Sequence, residues 1–423
     1  MICSPVLAGF LRLREGILVS RVIRMSYVLV ALAMLATVAG CGGKKGAQTF
    51  TVDIDGHNGK ANEAFIAYFP NTVTVHPGDT VVFDNKGNGE PHTATLGSVI
   101  DPAVAMYEKA TPAQRQASQP PKAFLRLDSK IPQLLPQGPG DAVQSSANPC
   151  YVAAGSAPGK SACPKVSQPE FDGTQSFYNS GWLNSKAKFT VKLSASTAPG
   201  TYHFMCLLHR EGMSGKIVVV PSGTSVASPG DQYAAGQKQL QTIEAKLQPA
   251  VDAERQGKPP IPGVTLPGSN VVLAGSFAPT VQEAGITEFG PKLIKVPVGG
   301  SVTWYILGAH SITFNSDKTN NDIRTVAPDG TVHANPKAGG PANAPGEPRS
   351  TNSGGGGSSN GPPKFKVVAS KTWDGTGFLN TGVFTNSFGP PLVEGYTITF
   401  TKAGKYKYLC TVHDNMTGEV DVG

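Results

Sequence analysis

Residues 200–219 read GTYHFMCLLHREGMSGKIVV, and residues 404–422 read GKYKYLCTVHDNMTGEVDV. In both stretches Gly-x-Tyr-x-aromatic-x-Cys-x-x-His precedes a methionine, a glycine and a β-branched run. Because aromatic residues and cysteine alternate, a β-strand would point each trio toward one face. The trios are Tyr202, Phe204, Cys206 and Tyr406, Tyr408, Cys410. The pattern predicts, twice, a strand that ends at the cysteine, a turn and a return strand.

The repetition extends upstream of these stretches. Three further pairs of segments match in the same order: residues 73–83 with 294–304, residues 91–95 with 309–314, and residues 171–183 with 373–384. Four matched blocks in one order indicate two copies of one domain. We therefore predict a first domain at residues 48–222 and a second at residues 269–423.

Each copy offers one distant histidine and a close cysteine, histidine and methionine. The two sets are His92, Cys206, His209, Met213 and His310, Cys410, His413, Met416. Two histidines and a cysteine with a weak axial methionine are the ligands of a type 1 copper site. A thiolate and two imidazoles suit both Cu(I) and Cu(II), so one electron can pass with little rearrangement. Each loop has one cysteine, which predicts two mononuclear copper sites.

Both halves resemble the cupredoxins, the family of plastocyanin, azurin and amicyanin, over most of the two predicted domains. The Cys-x2-His-x2-Met spacing at Cys410 is amicyanin-like, and the spacing at Cys206 is one residue longer. The resemblance implies an all-β protein with two Greek-key β-sandwiches. It also implies that the loop histidines, His209 and His413, are exposed and carry the electrons. The departure from the family is two large insertions, at about residues 97–170 and 318–364.

The N-terminus has the features of an export signal. Arg21 and Arg24 precede an apolar run at residues 28–39, which is shorter than the roughly 20 residues that span a bilayer. The run leads into Val-Ala-Gly-Cys41, which resembles a bacterial lipobox. We predict a signal peptide at residues 1–40, a lipid on Cys41 and a tether at residues 41–47. An ordinary secretory signal that contains a cysteine is the alternative, and either Met1 or Met25 is the start.

The six cysteines divide by position. Cys3 lies in the predicted signal peptide, and Cys41 is the predicted lipid site. We expect Cys150 and Cys163 to form a local disulfide, because export leads to a compartment that permits one. Cys206 and Cys410 remain unpaired, and metal ligation is a reason for both.

Between the motifs, three segments differ in character. The first insertion is rich in proline and glutamine, and Asp101-Pro102 is a typical N-cap and N1 pair for a short helix. The second is rich in glycine and serine, which predicts flexibility. The linker at residues 223–268 carries Leu240, Ile243 and Leu247 at helical spacing, with Pro249 able to end or kink the helix. That helix either links the domains or packs across their interface.

Other functions are less consistent with the sequence. The net charge is +7 without a basic cluster, which does not indicate nucleic-acid binding. Copper nitrite reductases and multicopper oxidases carry a histidine immediately before the type 1 cysteine, whereas Met205 and Leu409 stand there in this chain. Copper storage or delivery remains an alternative, although the seven methionines form no cluster.

We therefore expect a non-enzymatic electron carrier that binds two type 1 copper ions. The predicted signal places it outside the cytoplasm, anchored to the cell membrane by lipid. Its expected partners are redox proteins, such as respiratory or other membrane electron-transfer components.

Overall fold

The computed structural model describes residues 46–56, 62–87, 89–111, 142–145, 147, 168–261, 263–278, 281, 283–316, 324–327, 331–335, 364–386 and 392–423. The predicted signal peptide, Cys41 and the Cys150–Cys163 pair lie outside these residues. The chain divides into Met1–Gly46 and Ala47–Gly423, and the second unit is described below.

The N-terminal half is a β-sandwich. Its described strands are β1 (Thr49–Ile54), β2 (Glu63–Phe65), β3 (Tyr68–Phe69), β4 (Thr72–Val75), β5 (Thr80–Asn85), β6 (Thr95–Leu96), β7 (Ala142–Gln144), β8 (Tyr178–Asn179), β9 (Lys188–Lys192), β10 (Gly200–Cys206) and β11 (Arg210–Val219). One sheet has the order β3-β1-β5-β9, and the other has the order β4-β11-β10-β6-β8. Most neighbours are not consecutive in the chain, as in Greek-key topology.

The core of this sandwich is aromatic and β-branched. Phe204 of β10 lies edge-on to Tyr68 and to Phe83, with ring centroids 4.9 Å away in each case. Each such buried ring contributes roughly 2–3 kcal/mol relative to an exposed one. Cys206 follows Phe204 on the same face and is fully buried in the same core. The predicted alternation along β10 is therefore confirmed.

The C-terminal half repeats the arrangement. Its described strands are β12 (Val271–Phe277), β13 (Ala284–Gly290), β14 (Leu293–Val296), β15 (Ser301–Ile306), β16 (Gly308–His310), β17 (Thr313–Phe314), β18 (Arg324–Val326), β19 (Thr331–Ala334), β20 (Lys364–Trp373), β21 (Leu379–Asn380), β22 (Phe384–Asn386), β23 (Leu392–Phe400), β24 (Gly404–Leu409) and β25 (Thr417–Val422). The order β13-β12-β15-β23-β20 faces the order β14-β25-β24-β17-β21. The parallel pair β12–β15 repeats the parallel pair β1–β5. The predicted all-β class is confirmed.

Strands from one half enter sheets of the other. β2 pairs antiparallel with β13 at the edge of the C-terminal sheet. β7, from the first insertion, pairs with β19, from the second. Arg324 of β18 lies over the ring of Trp182, 4.7 Å from its centroid. Part of the second insertion thus forms strands, although its composition predicted flexibility, because backbone pairing with the other half orders it; the rest lies outside the described residues.

Two helices occur in the described part of the chain, α1 (Asp101–Lys109) and α2 (Pro229–Arg255). The N-cap of α1 is Ile100 rather than the predicted Asp101, whose carboxylate instead lies 3.1 Å from Nδ1 of His203. No helix among the described residues is both long and apolar enough to cross a bilayer.

Helix α2 packs across the interface between the halves. Ser228 caps it by accepting from the N–H of Asp231, and the helix continues through Pro249. Leu240 and Leu247 are buried in a cluster that joins residues of both halves. The members of this cluster are Phe65, Phe69, Leu240, Leu247, Ala250, Val251, Ala278, Val281, Ala284 and Ile286. Of the two alternatives for this helix, interface packing is the one observed.

Glu63 of β2 is a buried carboxylate at the interface between the two halves. It is 3% exposed, and its Oε2 atom has no hydrogen-bond partner among the described residues. Burial, with the charges of Glu244 and Glu288, raises its pKa from 4.5 to about 7. The folded state therefore holds this proton more tightly than the unfolded state. Stability should fall as pH rises from 4.5 through 7, by about 3 kcal/mol at most.

Glu63→Gln should remove this part of the pH dependence, because the amide is neutral at every pH. Chemical unfolding of the metal-free chain at pH 5 and pH 8 measures the effect. We expect the variant to lose less stability than the parent between the two pH values. Equal losses in both proteins would contradict the assignment.

Candidate metal centres

The N-terminal site consists of His92, Cys206 and His209, whose candidate ligand atoms all lie within 4.8 Å of one another. Cys206 is the last residue of β10, and His209 lies in the turn before β11. His92 enters from the segment before β6. Two backbone hydrogen bonds to Leu183, of 3.0 and 2.8 Å, hold it in place. The predicted distant histidine and the predicted loop pair therefore meet.

The C-terminal site consists of His310, Cys410 and His413 in the same arrangement. His310 ends β16 and pairs with Phe384 of β22. Cys410 follows β24, and its Sγ atom lies 3.8 Å from Nδ1 of both histidines. In the N-terminal site the Sγ of Cys206 lies 3.9 Å from Nδ1 of His92. Nδ1 thus faces the sulfur at His92, His310 and His413.

The two methionines are buried beside these groups. Met213 belongs to the same core as Cys206, and Met416 belongs to the same core as Cys410. The N–H of Cys410 also donates a hydrogen bond to the carbonyl of Met416 at 2.9 Å. This bond closes the loop that carries Cys410, His413 and Met416. The role of the two methionines as axial ligands remains a prediction.

Backbone N–H groups point at both sulfur atoms. The N–H of Thr93 lies 3.4 Å from Sγ of Cys206, and the N–H of Ser311 lies 3.5 Å from Sγ of Cys410. The hydroxyls of the same two residues accept from the N–H of the residue after each cysteine, at 2.8 and 2.9 Å. We did not single out Thr93 and Ser311 from the sequence. The sequence does place a hydroxyl residue directly after the distant histidine in both copies, as His92-Thr93 and His310-Ser311.

The cysteines have the electrostatics of metal-binding thiolates. Burial would raise the pKa of Cys206, but His209 and His92 beside it hold that pKa well below its usual value. Cys410 is buried likewise, and His310 and His413 lower its pKa in the same way. The thiolate is the form that binds metals.

The distant histidines of the two sites differ in their surroundings. Nε2 of His92 lies 3.4 Å from Oδ2 of Asp55. Burial would lower the pKa of His92, but Asp55 and Cys206 raise it to about 9. Burial lowers the pKa of His310 despite the neighbouring Cys410. Sequence reasoning missed Asp55, which has no counterpart carboxylate in the second copy.

The loop histidines of both sites contact one carboxylate. Oε1 of Glu90 lies 3.1 Å from Nε2 of His209, and Oε2 lies 3.9 Å from Nε2 of His413. Burial would lower both histidine pKa values, but Glu90 and the cysteines raise that of His413 to about 10 and that of His209 well above its usual value. Burial would raise the pKa of Glu90, but these histidines hold it well below its usual value.

The exposure that the family resemblance implies for the loop histidines is therefore wrong. The side chain of His209 is 13% exposed, and that of His413 is 4% exposed. The physical reason is that each faces Glu90, so the packing of the two halves covers both rings. Nothing in the sequence indicates Glu90, because both of its partners are distant along the chain. His209 is 119 residues away, and His413 lies in the other half.

The donor set fits copper. His209 belongs to the group with His92 and Cys206, and its Nδ1 atom is buried and has no hydrogen-bond partner among the described residues. A buried polar nitrogen without a partner is costly, and a metal ion at this position would satisfy it. A thiolate with two imidazoles is the trigonal set of type 1 copper. The residues present could thus hold two copper ions, one in each half.

No family model matches the sequence, and no curated protein matches it significantly. Auracyanin from Roseiflexus castenholzii is 18% identical and covers 42% of this chain and 100% of its own, with a TM-score of 0.22. Auracyanin A from Chloroflexus aurantiacus is 20% identical and covers 41% of this chain and 98% of its own, also at 0.22.

A copper-containing nitrite reductase from Thermus scotoductus SA-01 is 12% identical, covers 89% of this chain and 99% of its own, and has a TM-score of 0.22. These scores are too low for the matches to indicate function. The sandwich topology and the two His-Cys-His groups of this chain are themselves cupredoxin-like.

Cys206→Ser and Cys410→Ser test the two sites separately. A serine hydroxyl is a poor substitute for the soft thiolate, so each variant should lose one of two bound copper ions and about half of the blue absorption. Metal analysis and visible spectra of the copper-loaded proteins measure both quantities. Each variant keeps the other site as an internal control. Full blue absorption in either variant would contradict the assignment of that cysteine.

Proposed function

We propose that this protein transfers electrons through two mononuclear type 1 copper ions, one in each sandwich. The observation that carries the proposal is the pair of buried cysteines, each grouped with two histidines whose candidate ligand atoms all lie within 4.8 Å of one another. Copper bound there would accept and release one electron at a time.

The surrounding residues hold the ligands in one geometry. Backbone pairing holds the distant histidines, His92 in a β-bridge with Leu183 and His310 in the β16–β22 pair. The N–H groups of Thr93 and Ser311 orient the sulfur atoms. Ligands that do not move between oxidation states reduce the rearrangement that accompanies electron transfer, and hydrogen bonds to sulfur tune the potential.

A copper enzyme is the alternative, and the residue before each cysteine argues against it. Copper nitrite reductases use a histidine at that position to connect the type 1 ion with a second copper. Met205 is instead buried in an apolar cluster with Val104 of α1 and Leu207. Leu409 stands at the same position in the second copy. A thioether packed among apolar side chains and an aliphatic side chain do not supply that connection.

We also propose that the carrier is exported and anchored to the membrane by a lipid on Cys41. The apolar run and the lipobox-like end of residues 1–40 support this. Such an anchor would place the two sandwiches beside membrane electron-transfer proteins, which are the partners that we propose.

Copper titration of residues 48–423 with metal analysis, visible spectroscopy and redox cycling tests the proposed function. We expect two copper ions per chain, intense blue colour when oxidised, and retention of both ions through repeated cycles. Zinc in place of copper, or no blue band on addition of Cu(II), would overturn the proposal. Ready loss of the ions to a chelator would favour storage or delivery, and turnover of nitrite would favour an enzyme.

A further inference from the structure

We infer that Glu90 bridges the two sites, so that electrons pass between them within one chain. This inference rests on the proposed function. Its basis is geometric: the two oxygens of one carboxylate face Nε2 of His209 and Nε2 of His413, at 3.1 and 3.9 Å. The bridge therefore joins one ligand imidazole of each site through a single side chain.

The two imidazole rings that Glu90 joins are both oriented with Nε2 toward the carboxylate. Nδ1 of His413 faces the sulfur of Cys410, while its Nε2 faces Glu90. In the N-terminal site, Nδ1 of His209 is buried and its Nε2 also faces Glu90. With copper on the two Nδ1 atoms, each Nε2 carries a hydrogen that a carboxylate oxygen can accept. The electron path then runs through two aromatic rings and one carboxylate, with short gaps.

The surroundings favour transfer within the chain at these two histidines. His209 and His413 are largely covered, so an external partner protein would have little access to either ring. The interface that covers them is extensive, because the apolar cluster around α2 and the β2–β13 pairing join the same halves. Such an interface holds the bridge in place independently of the two contacts that Glu90 makes.

Glu90→Ala and Glu90→Gln test the bridge. Alanine removes the hydrogen-bond acceptor of His209 and the carboxylate oxygen 3.9 Å from His413. Glutamine retains one acceptor oxygen but presents an NH₂ group to the other ring, which also donates, so only one of the two contacts survives. Glu63→Gln, compared at pH 8 where Glu63 is ionised, is the control, since it removes the charge of another buried interface carboxylate that belongs to neither His-Cys-His group.

The experiment reduces a small fraction of the fully oxidised two-copper protein by one electron and follows both sites by transient absorption and freeze-quench EPR. Spectra of the Cys206→Ser and Cys410→Ser proteins assign the signals. We expect a first-order phase, independent of protein concentration, in which one site is reoxidised as the other is reduced. It should slow roughly tenfold or more in both Glu90 variants and be unchanged in Glu63→Gln.

Midpoint potentials and copper content are measured on the same samples, so that a change in driving force or metal loss is not mistaken for loss of the bridge. An equal rate in all four proteins, or no such phase in the parent protein, would overturn the inference while leaving two blue copper sites intact. Absence of the copper or of the blue bands would instead overturn the proposed function.

A different observation leads to a second inference: we propose that the N-terminal site has the lower reduction potential. Val52 pairs with Phe83 as Val272 pairs with Trp304, so Asp55 and Gly275 occupy equivalent positions three residues further along. Both have positive φ, at 59° and 75°. One copy has a carboxylate there, and the other has no side chain.

This difference changes what lies beside the distant histidine of each site. Asp55 accepts the backbone N–H groups of Gly56 and Phe65 at its Oδ1 atom, both at 2.6 Å, which leaves Oδ2 for Nε2 of His92. At Gly275 an added Cβ would lie 2.0 Å from Nε2 of His310, so no side chain fits. A carboxylate that accepts a hydrogen bond from a ligand imidazole makes that imidazole a stronger electron donor to the metal. It also adds negative charge near the metal, and both effects favour Cu(II) over Cu(I).

Asp55→Asn tests this inference in single-site proteins. In the Cys410→Ser protein, which retains the N-terminal site, the midpoint potential should lie below that of the Cys206→Ser protein. Asparagine keeps the acceptor oxygen for Gly56 and Phe65 but cannot accept from His92 with its NH₂ group. The substitution should therefore raise the midpoint of the N-terminal site and leave that of the C-terminal site unchanged. A N-terminal midpoint at or above the C-terminal one, or an equal shift of both sites, would overturn it.

Discussion

The structure depends on the burial of two cysteines beside imidazole rings, which lower the pKa of each thiol. A thiolate placed in an apolar core is costly unless groups of opposite polarity surround it. Each sandwich meets this requirement with two histidine rings and with a backbone N–H group from the segment that carries the distant histidine. Thr93 and Ser311 also fix the position of each cysteine, because their hydroxyls accept a hydrogen bond from the N–H of the residue that follows it.

Burying the histidines creates a second requirement, because the outward nitrogen of each ring must also be accommodated. Asp55 serves His92, and Glu90 serves both loop histidines. Glu90 can do so only because the two halves pack against each other at that point. Docking of the halves and satisfaction of the ligand histidines are thus parts of one arrangement, in which the interface replaces the solvent-exposed edge expected for a single cupredoxin.

The two copies have diverged where they meet and where second contacts to the ligands are made. Their parallel strand pairs and their cysteine loops correspond closely. Asp55 and Gly275, in contrast, occupy one position with opposite chemistry. The strands β2 and β7 leave the N-terminal sandwich to pair with C-terminal strands, which no single copy could do. The two His-Cys-His groups are therefore alike in their ligands and different in the residues around them.

The local repeat was enough to predict the all-β class and six residues that the structure brings together as two His-Cys-His groups. Periodicity and spacing act over a few residues, so the Cys-x-x-His loop and the alternation before it are readable directly. The distant histidines were identified because the repeat placed the same residue type at matched positions twice. Tertiary structure alone decided that α2 lies in the interface, that the loop histidines are covered, and that Glu90 and Asp55 contact ligands. These depend on pairings between residues far apart in the chain and on the packing of two complete sandwiches, which no short-range pattern encodes.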